Sequence, residues 1–183
     1  MNIFILDEDL DKCAQAHIDK HVTKMQLEAA QMLATTIWID RFFGYVPRAL
    51  NGDELSHLRA EMAALPDIEE RTFLRYKAAH VNHPCTIWMR ESYDNFEWAQ
   101  VYTNALDQEA QYRGYKPHAS CIEVNRMPEP IRLKSIGLTP FAQAMPDDYK
   151  QASAVEAYRL YYMMDKARIA NWKRRGPPDW WID

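Results

Sequence analysis

Between residues 10 and 41 polar and apolar positions recur with a helical period, which predicts one long helix stopping near Gly44 and Pro47. At about 100° per residue, Ile18, Val22, Met25, Ala29, Met32 and Thr36 form one largely apolar face. Ala16, Leu27, Ala34 and Trp38 cluster roughly opposite. Two polar stripes run between these faces: Gln15, Asp19, Thr23 and Gln26 on one side, His17, His21, Lys24, Glu28 and Gln31 on the other.

Downstream, the pattern predicts a short helix near 55–64, after a polar connection through Asn51-Gly52-Asp53. Asp67-Ile-Glu-Glu70 has capping-box spacing and predicts a helix running toward His80. Asn82-His83-Pro84 places proline at a first helical turn, and no Gly or Pro follows until Arg113-Gly114, so a long helix is expected there. Ile87, Trp88, Phe96, Trp98, Val101, Tyr102, Ala105 and Leu106 spread around enough of its wheel to imply burial. Ser153-Ala-Val-Glu156 is a second capping box, opening a final helix that ends before Gly176-Pro177-Pro178. Residues 115–150 carry Pro117, Pro128, Pro130, Pro140 and Pro146. They predict a long ordered loop anchored by Ile122, Val124, Ile131, Leu133, Ile136, Leu138 and Phe141. The expected fold is all-α, a single compact domain over 1–183.

Composition narrows the class. The chain has 183 residues, 48% hydrophobic, enough for a sizeable core. No apolar run of about 18 residues exists. Met1-Asn-Ile-Phe-Ile-Leu is followed at once by Asp7, Glu8, Asp9 and Asp11, so neither a membrane span nor a signal peptide is expected and the location is read as cytoplasmic. Cys13, Cys85 and Cys121 form neither a CxxC pair nor an even framework, which fits reduced structural thiols. The net charge of −4 argues against binding to nucleic acid by bulk charge, but the C-terminus is locally basic through Arg159, Lys166, Arg168, Lys173, Arg174 and Arg175.

Two accounts fit the stripe of His17, His21, Lys24 and Glu28. It is the wall of a cleft that titrates and donates, or a solvated helix edge with an i, i+4 pair between Lys24 and Glu28. His17 and His21 have the spacing of helical zinc ligands, and His80, His83 and Cys85 could add others, yet no HExxH is present. Hydrogen-bonded histidines are the preferred reading, with His83 as a cap before Pro84 and no metal. GxxxxGK[ST], GxGxxG and GxSxG are absent, so neither a nucleotide cofactor nor a hydrolase serine is supported. The C-terminal segment interleaves aromatic and cationic side chains. Val155, Tyr158, Tyr162 and Ile169 read as core of its helix. Arg168, Lys173, Arg174, Arg175, Trp180 and Trp181 read as contacts to nucleic acid, because a tail following two prolines is less constrained to pack.

Cys13-Ala-Gln-Ala-His17-Ile is similar to the Leu-Ala-x-x-His-Leu of the small pyrimidine-dimer DNA glycosylases typified by phage endonuclease V. His83-Pro84, the long helix ending Glu109-Ala-Gln-Tyr-Arg-Gly-Tyr115, and the aromatic, basic C-terminus extend that resemblance. Asp19-Lys-His-Val-Thr-Lys-Met25 also resembles a core found in phage proteins. The resemblance implies an all-α fold, binding of duplex DNA, nucleotide extrusion, and cleavage of the N-glycosidic bond through an imine on the N-terminal amine. Two positions depart from the pattern. Asn2 is too large for efficient removal of Met1, and Lys24 stands where counting from His17 places the family's carboxylate, with Glu28 one turn beyond.

On this basis Glu28 stabilises positive charge at the sugar or positions water, and His17 or His21 moves a proton. The amine nucleophile is expected in the order Lys24, Lys20, Met1, with Lys20 and His83 also facing DNA. No protein partner is indicated. Two alternatives stay open: an enzyme modifying phage DNA bases, and a non-enzymatic module binding nucleic acid or a host protein.

Overall fold

The computed structural model describes residues 1–65 and 74–182, and every regular element among them is helical. The helices are α1 (Leu10–Ala16), α2 (Asp19–Phe43), α3 (Gly52–Ala64), α4 (Pro84–Met89), α5 (Tyr93–Tyr112), α6 (Ala119–Val124) and α7 (Ala154–Asp165). Short 3-10 turns lie at Asp147–Tyr149 and Ala167–Ile169. The long helix α2 is the centre, packed along α5 and flanked by α4 and α6, while α1 rests on α5. No helix among the described residues is long and apolar enough to cross a membrane.

The expected first helix is two helices. His17 and Ile18 take extended backbone, with ψ of 137° and 155°. The reason is tertiary. Arg113 Nη1 donates to the His17 carbonyl at 2.8 Å and Nη2 to that of Gln15 at 2.9 Å, while the Asp19 N–H donates to the Asn171 carbonyl at 2.8 Å. Groups that would close helical turns are satisfied from distant chain, so the break carries no orphaned polar groups. The apolar face called on α2 is buried throughout, whereas Leu27 on the opposite side is 37% exposed.

The expected long helix from Pro84 to Arg113 is also broken. His83 caps α4 with its imidazole accepting from Cys85 N–H, as the Asn-His-Pro pattern indicates, but the helix ends at Met89. The fully buried Arg90 sends its guanidinium to the carbonyls of Val46, Arg48 and Val81. Ser92 then recaps α5, which runs to the Arg113 cap and Gly114 at φ 88°.

The start of the helix expected from Asp67 lies outside the described residues, and Leu74–His80, its expected continuation, is not helical. α2 side chains hold this stretch out of a helix. Thr35 Oγ1 donates to the Ala79 carbonyl and accepts from its N–H, both at 2.9 Å, and Trp38 Nε1 donates to the Tyr76 carbonyl at 2.8 Å.

Residues 115–150 contain α6 and a 3-10 turn within the expected loop. Carboxylates fix this region more than apolar anchors do: Asp40 accepts from the backbone N–H groups of Ile131 and Arg132, and Asp94 from Ser135 and Gly137. Val124 is buried and Leu133 and Phe141 pack on the core, but Ile122, Ile131, Ile136 and Leu138 are exposed. The final helix stops at Asp165, earlier than expected.

Candidate functional site

Burial of Ile3, Phe4, Ile5 and Leu6, four consecutive apolar side chains, draws the segment that precedes the first helix into the core. Phe4 stacks on His21 at 4.7 Å between ring centroids and meets Tyr162 edge-on at 5.0 Å. Met1 and Asn2 are thereby delivered to the polar stripe of α2.

Glu28 is the focus of what they form. Its Oε2 accepts from the Asn2 backbone N–H at 2.7 Å and lies 3.8 Å from the Met1 amine. Its Oε1 lies 3.0 Å from Lys24 Nζ. The Glu28 side chain is 9% exposed and that of Lys24 is 64% exposed, so a sheltered carboxylate meets a solvated ammonium. His83 borders the same cluster. Burial first, and the positive N-terminus second, lower the pKa of its imidazole from the ordinary 6.5. A cavity of about 680 Å³ between α3 and residues 77–83 shares His83 with this cluster, its walls including Leu55, Leu58, Met62 and Val81.

The two helix-one histidines do not line an open cleft. His17 is fully buried, with Nδ1 2.7 Å from the Cys13 carbonyl and Nε2 2.9 Å from the Tyr102 hydroxyl. His21 is 7% exposed, with Nδ1 2.6 Å from the Tyr162 hydroxyl. Burial lowers their pKa to about 3 and about 4, so both rings are neutral near pH 7. Because His17 lies in the helix break, the two are not paired one turn apart on a helix. Among the described residues no group of three or more His, Cys, Asp and Glu is placed to hold a metal ion. Cys13, Cys85 and Cys121 are free, buried thiols.

The expected loose tail is tied down. Arg175 pairs with Glu109 at 2.9 Å and lies over the Tyr112 ring at 4.1 Å. Arg174 donates to the Tyr112 carbonyl at 2.9 Å, and its guanidinium packs where a side chain on Gly114 would stand. Lys173 Nζ lies 5.4 Å from the Tyr115 ring. Trp181 packs edge-on against Trp172, and Trp180 lies beneath Arg159, so both indoles are partly covered. Lys20 and Arg168 are exposed.

Tyr158 and Tyr162 are buried, as the pattern of the last helix indicates, whereas the roles of Asp19 and Asn2 were not read from the sequence. Asp19 was assigned to the less informative stripe, yet it is the buried acceptor for Arg113, Asn171 and Lys173. The signal for Asn2 was present in the apolar run Ile3–Leu6, since burying that run pulls in the residues preceding it.

Comparison with curated proteins and with solved structures returned no match to the chain. A family model described as pyrimidine dimer DNA glycosylase matches residues 1–123, a span holding Met1, Asn2, Lys24, Glu28 and His83. That match covers more than half of the chain, which therefore belongs to the pyrimidine dimer DNA glycosylase family.

Proposed function

We propose that this chain releases a damaged pyrimidine from duplex DNA with the Met1 α-amine as nucleophile and Glu28 as the essential carboxylate. The observation that carries this reading is the convergence of the Met1 amine, the Asn2 N–H and Lys24 on one sheltered carboxylate. Burial, the condition that makes a lysine a neutral nucleophile, is not met at Lys24 or Lys20. The order of candidates therefore reverses in favour of Met1.

In the proposed step the amine lone pair forms a bond to sugar C1′. The glycosidic bond from C1′ to the base breaks, and the base nitrogen keeps that electron pair and takes up a proton, the base staying joined to its partner pyrimidine in a dimer. Glu28 accepts a proton from the attacking nitrogen and stabilises the cationic sugar. The nitrogen lone pair then forms the C1′=N bond as the C1′–O4′ bond opens and O4′ takes back the proton held by Glu28, which leaves an iminium between protein and sugar. Loss of a C2′ proton then expels the 3′ phosphate, which is the lyase step. The cavity beside His83 offers apolar walls to an unstacked base. Lys20, Lys24 and Arg168 supply exposed cations for phosphates. His17 and His21 hold the N-terminal segment through Tyr102, Tyr162 and Phe4 rather than moving protons.

Borohydride reduction during turnover of a duplex with one pyrimidine dimer tests the reading, since it converts the iminium to a stable bond. The expected adduct lies on the Met1 peptide. Cleavage of the glycosidic bond with no trapped adduct would remove the amine step, and an adduct on Lys24 would restore the side-chain nucleophile.

A further inference from the structure

We infer that Asn2 is a positioning residue whose caged carboxamide sets the register of the N-terminal segment, so that the amine presented to Glu28 is that of Met1. This rests on the amine chemistry proposed above. Both polar atoms of the side chain are engaged. Nδ2 donates to the Ala144 carbonyl at 2.8 Å, and Oδ1 accepts from the Ile3 N–H at 2.8 Å and the Cys85 thiol at 3.5 Å. The Tyr158 hydroxyl lies 2.9 Å from the same Oδ1 and 2.8 Å from the Ala142 carbonyl, and accepts from the Ala144 N–H at 3.2 Å. The cage is thus assembled from α4, α7 and the loop between α6 and α7.

Such a cage fixes register because its partners are specific to an amide. A slip of one residue moves each side chain by about 3.8 Å. It would place a thioether or a sec-butyl group among unsatisfied carbonyl and hydroxyl groups, at a cost of about 1–3 kcal/mol for each buried group left unpaired. Beyond the cage, Met1 has a side chain only 5% exposed although the residue as a whole is partly exposed. Its accessible surface therefore includes the main chain, where the amine is. The size of Asn2 acts in the same direction. A small second residue licenses removal of the initiator methionine, whereas Asn2 keeps Met1 in place, and the cage then uses that same large amide as an anchor.

The test compares trapping on a dimer-containing duplex, in single turnover, for the parent, for a protein with one Gly left before Met1 by tag cleavage, and for the Tyr158→Phe and Asn2→Leu variants. Leucine at position 2 is large enough to retain Met1. The Gly extension leaves the cage intact and displaces the amine, so the trapping rate should fall at least tenfold, with melting temperature and affinity for undamaged duplex unchanged. In steady-state turnover beside the trapping, Tyr158→Phe and Asn2→Leu should lower kcat severalfold or more with KM unchanged, and the parent adduct should sit on Met1. Parental trapping rates in the Gly-extended protein, or an unchanged kcat in Tyr158→Phe, overturn the positioning role even if Asn2→Leu fails to fold. A parent adduct on Asn2, after loss of Met1, overturns it as well. Absence of any adduct in the parent during glycosidic bond cleavage instead overturns the amine chemistry, so the two failures are told apart.

Discussion

Asp19 meets Arg113 at 3.0 Å in the interior, joining the break between α1 and α2 to the end of α5. The same carboxylate accepts from the Lys173 N–H at 3.0 Å and from the Asn171 side chain. Arg113 is fully buried and also pairs with Glu109 at 2.7 Å, which in turn holds Arg175. One ion network thus ties the C-terminal segment to the helix break beneath the N-terminal segment. Asp19→Ala should lower unfolding free energy by about 3–5 kcal/mol, because it removes one partner of a buried pair. Urea unfolding measures this, and protease cutting after Lys173 or Arg174 should accelerate in parallel.

Glu28→Gln removes charge with little change of volume and keeps an acceptor for the Asn2 N–H. The rate of glycosidic bond cleavage should fall by a factor of about 10² or more, with affinity for dimer-containing duplex retained. Activity equal to the parent would mean that no carboxylate is required at this place.

Salt dependence separates exposed cations from structural ones. Lys20→Ala and Lys24→Ala should each reduce the slope of log K against log salt by about one phosphate contact. Arg175→Ala should instead act through stability, since its guanidinium is committed to Glu109 and Tyr112. Binding titrations at several salt concentrations beside thermal melts discriminate the two. A lost phosphate contact in Arg175→Ala without any change in melting would contradict the structural assignment.

His17 and His21 make stability depend on pH. Their folded pKa values of about 3 and about 4 lie below the ordinary 6.5, with burial the leading cause in each case. The unfolded chain therefore binds more protons as pH falls. Their contribution is fully present above about pH 6.5 and declines from there toward pH 4, by up to about 1.4 kcal/mol per pH unit for each histidine. Denaturant titrations at pH 7, 6 and 5 should show this decline. Replacing His21 by Gln should flatten it by one proton, and an unchanged slope would show that His21 does not titrate between folded and unfolded states.

Much of the local architecture was determined by the sequence alone. The periodicity of Val22 to Trp38 dictated a helix with two buried sides, His83-Pro84 dictated a helix start, Ser153 with Glu156 dictated another, and Arg113-Gly114 dictated a stop. Capping and amphipathic period are encoded within a few neighbouring residues, so they are legible without knowing what packs against them. The position of Glu28 and Lys24 on one face was equally legible, being a matter of 3.6 residues per turn. The tertiary structure alone decided the rest. The helix breaks at His17 and Arg90 exist because buried guanidiniums collect carbonyls from remote segments. The tail is ordered because Asp19 and Glu109 neutralise and orient it. The Met1 amine reaches Glu28 because four apolar side chains thread the N-terminus through the core and a carboxamide cage stops it there. Each of these depends on partners far apart in sequence, whose meeting is set by the packing of the whole chain and not by any local pattern.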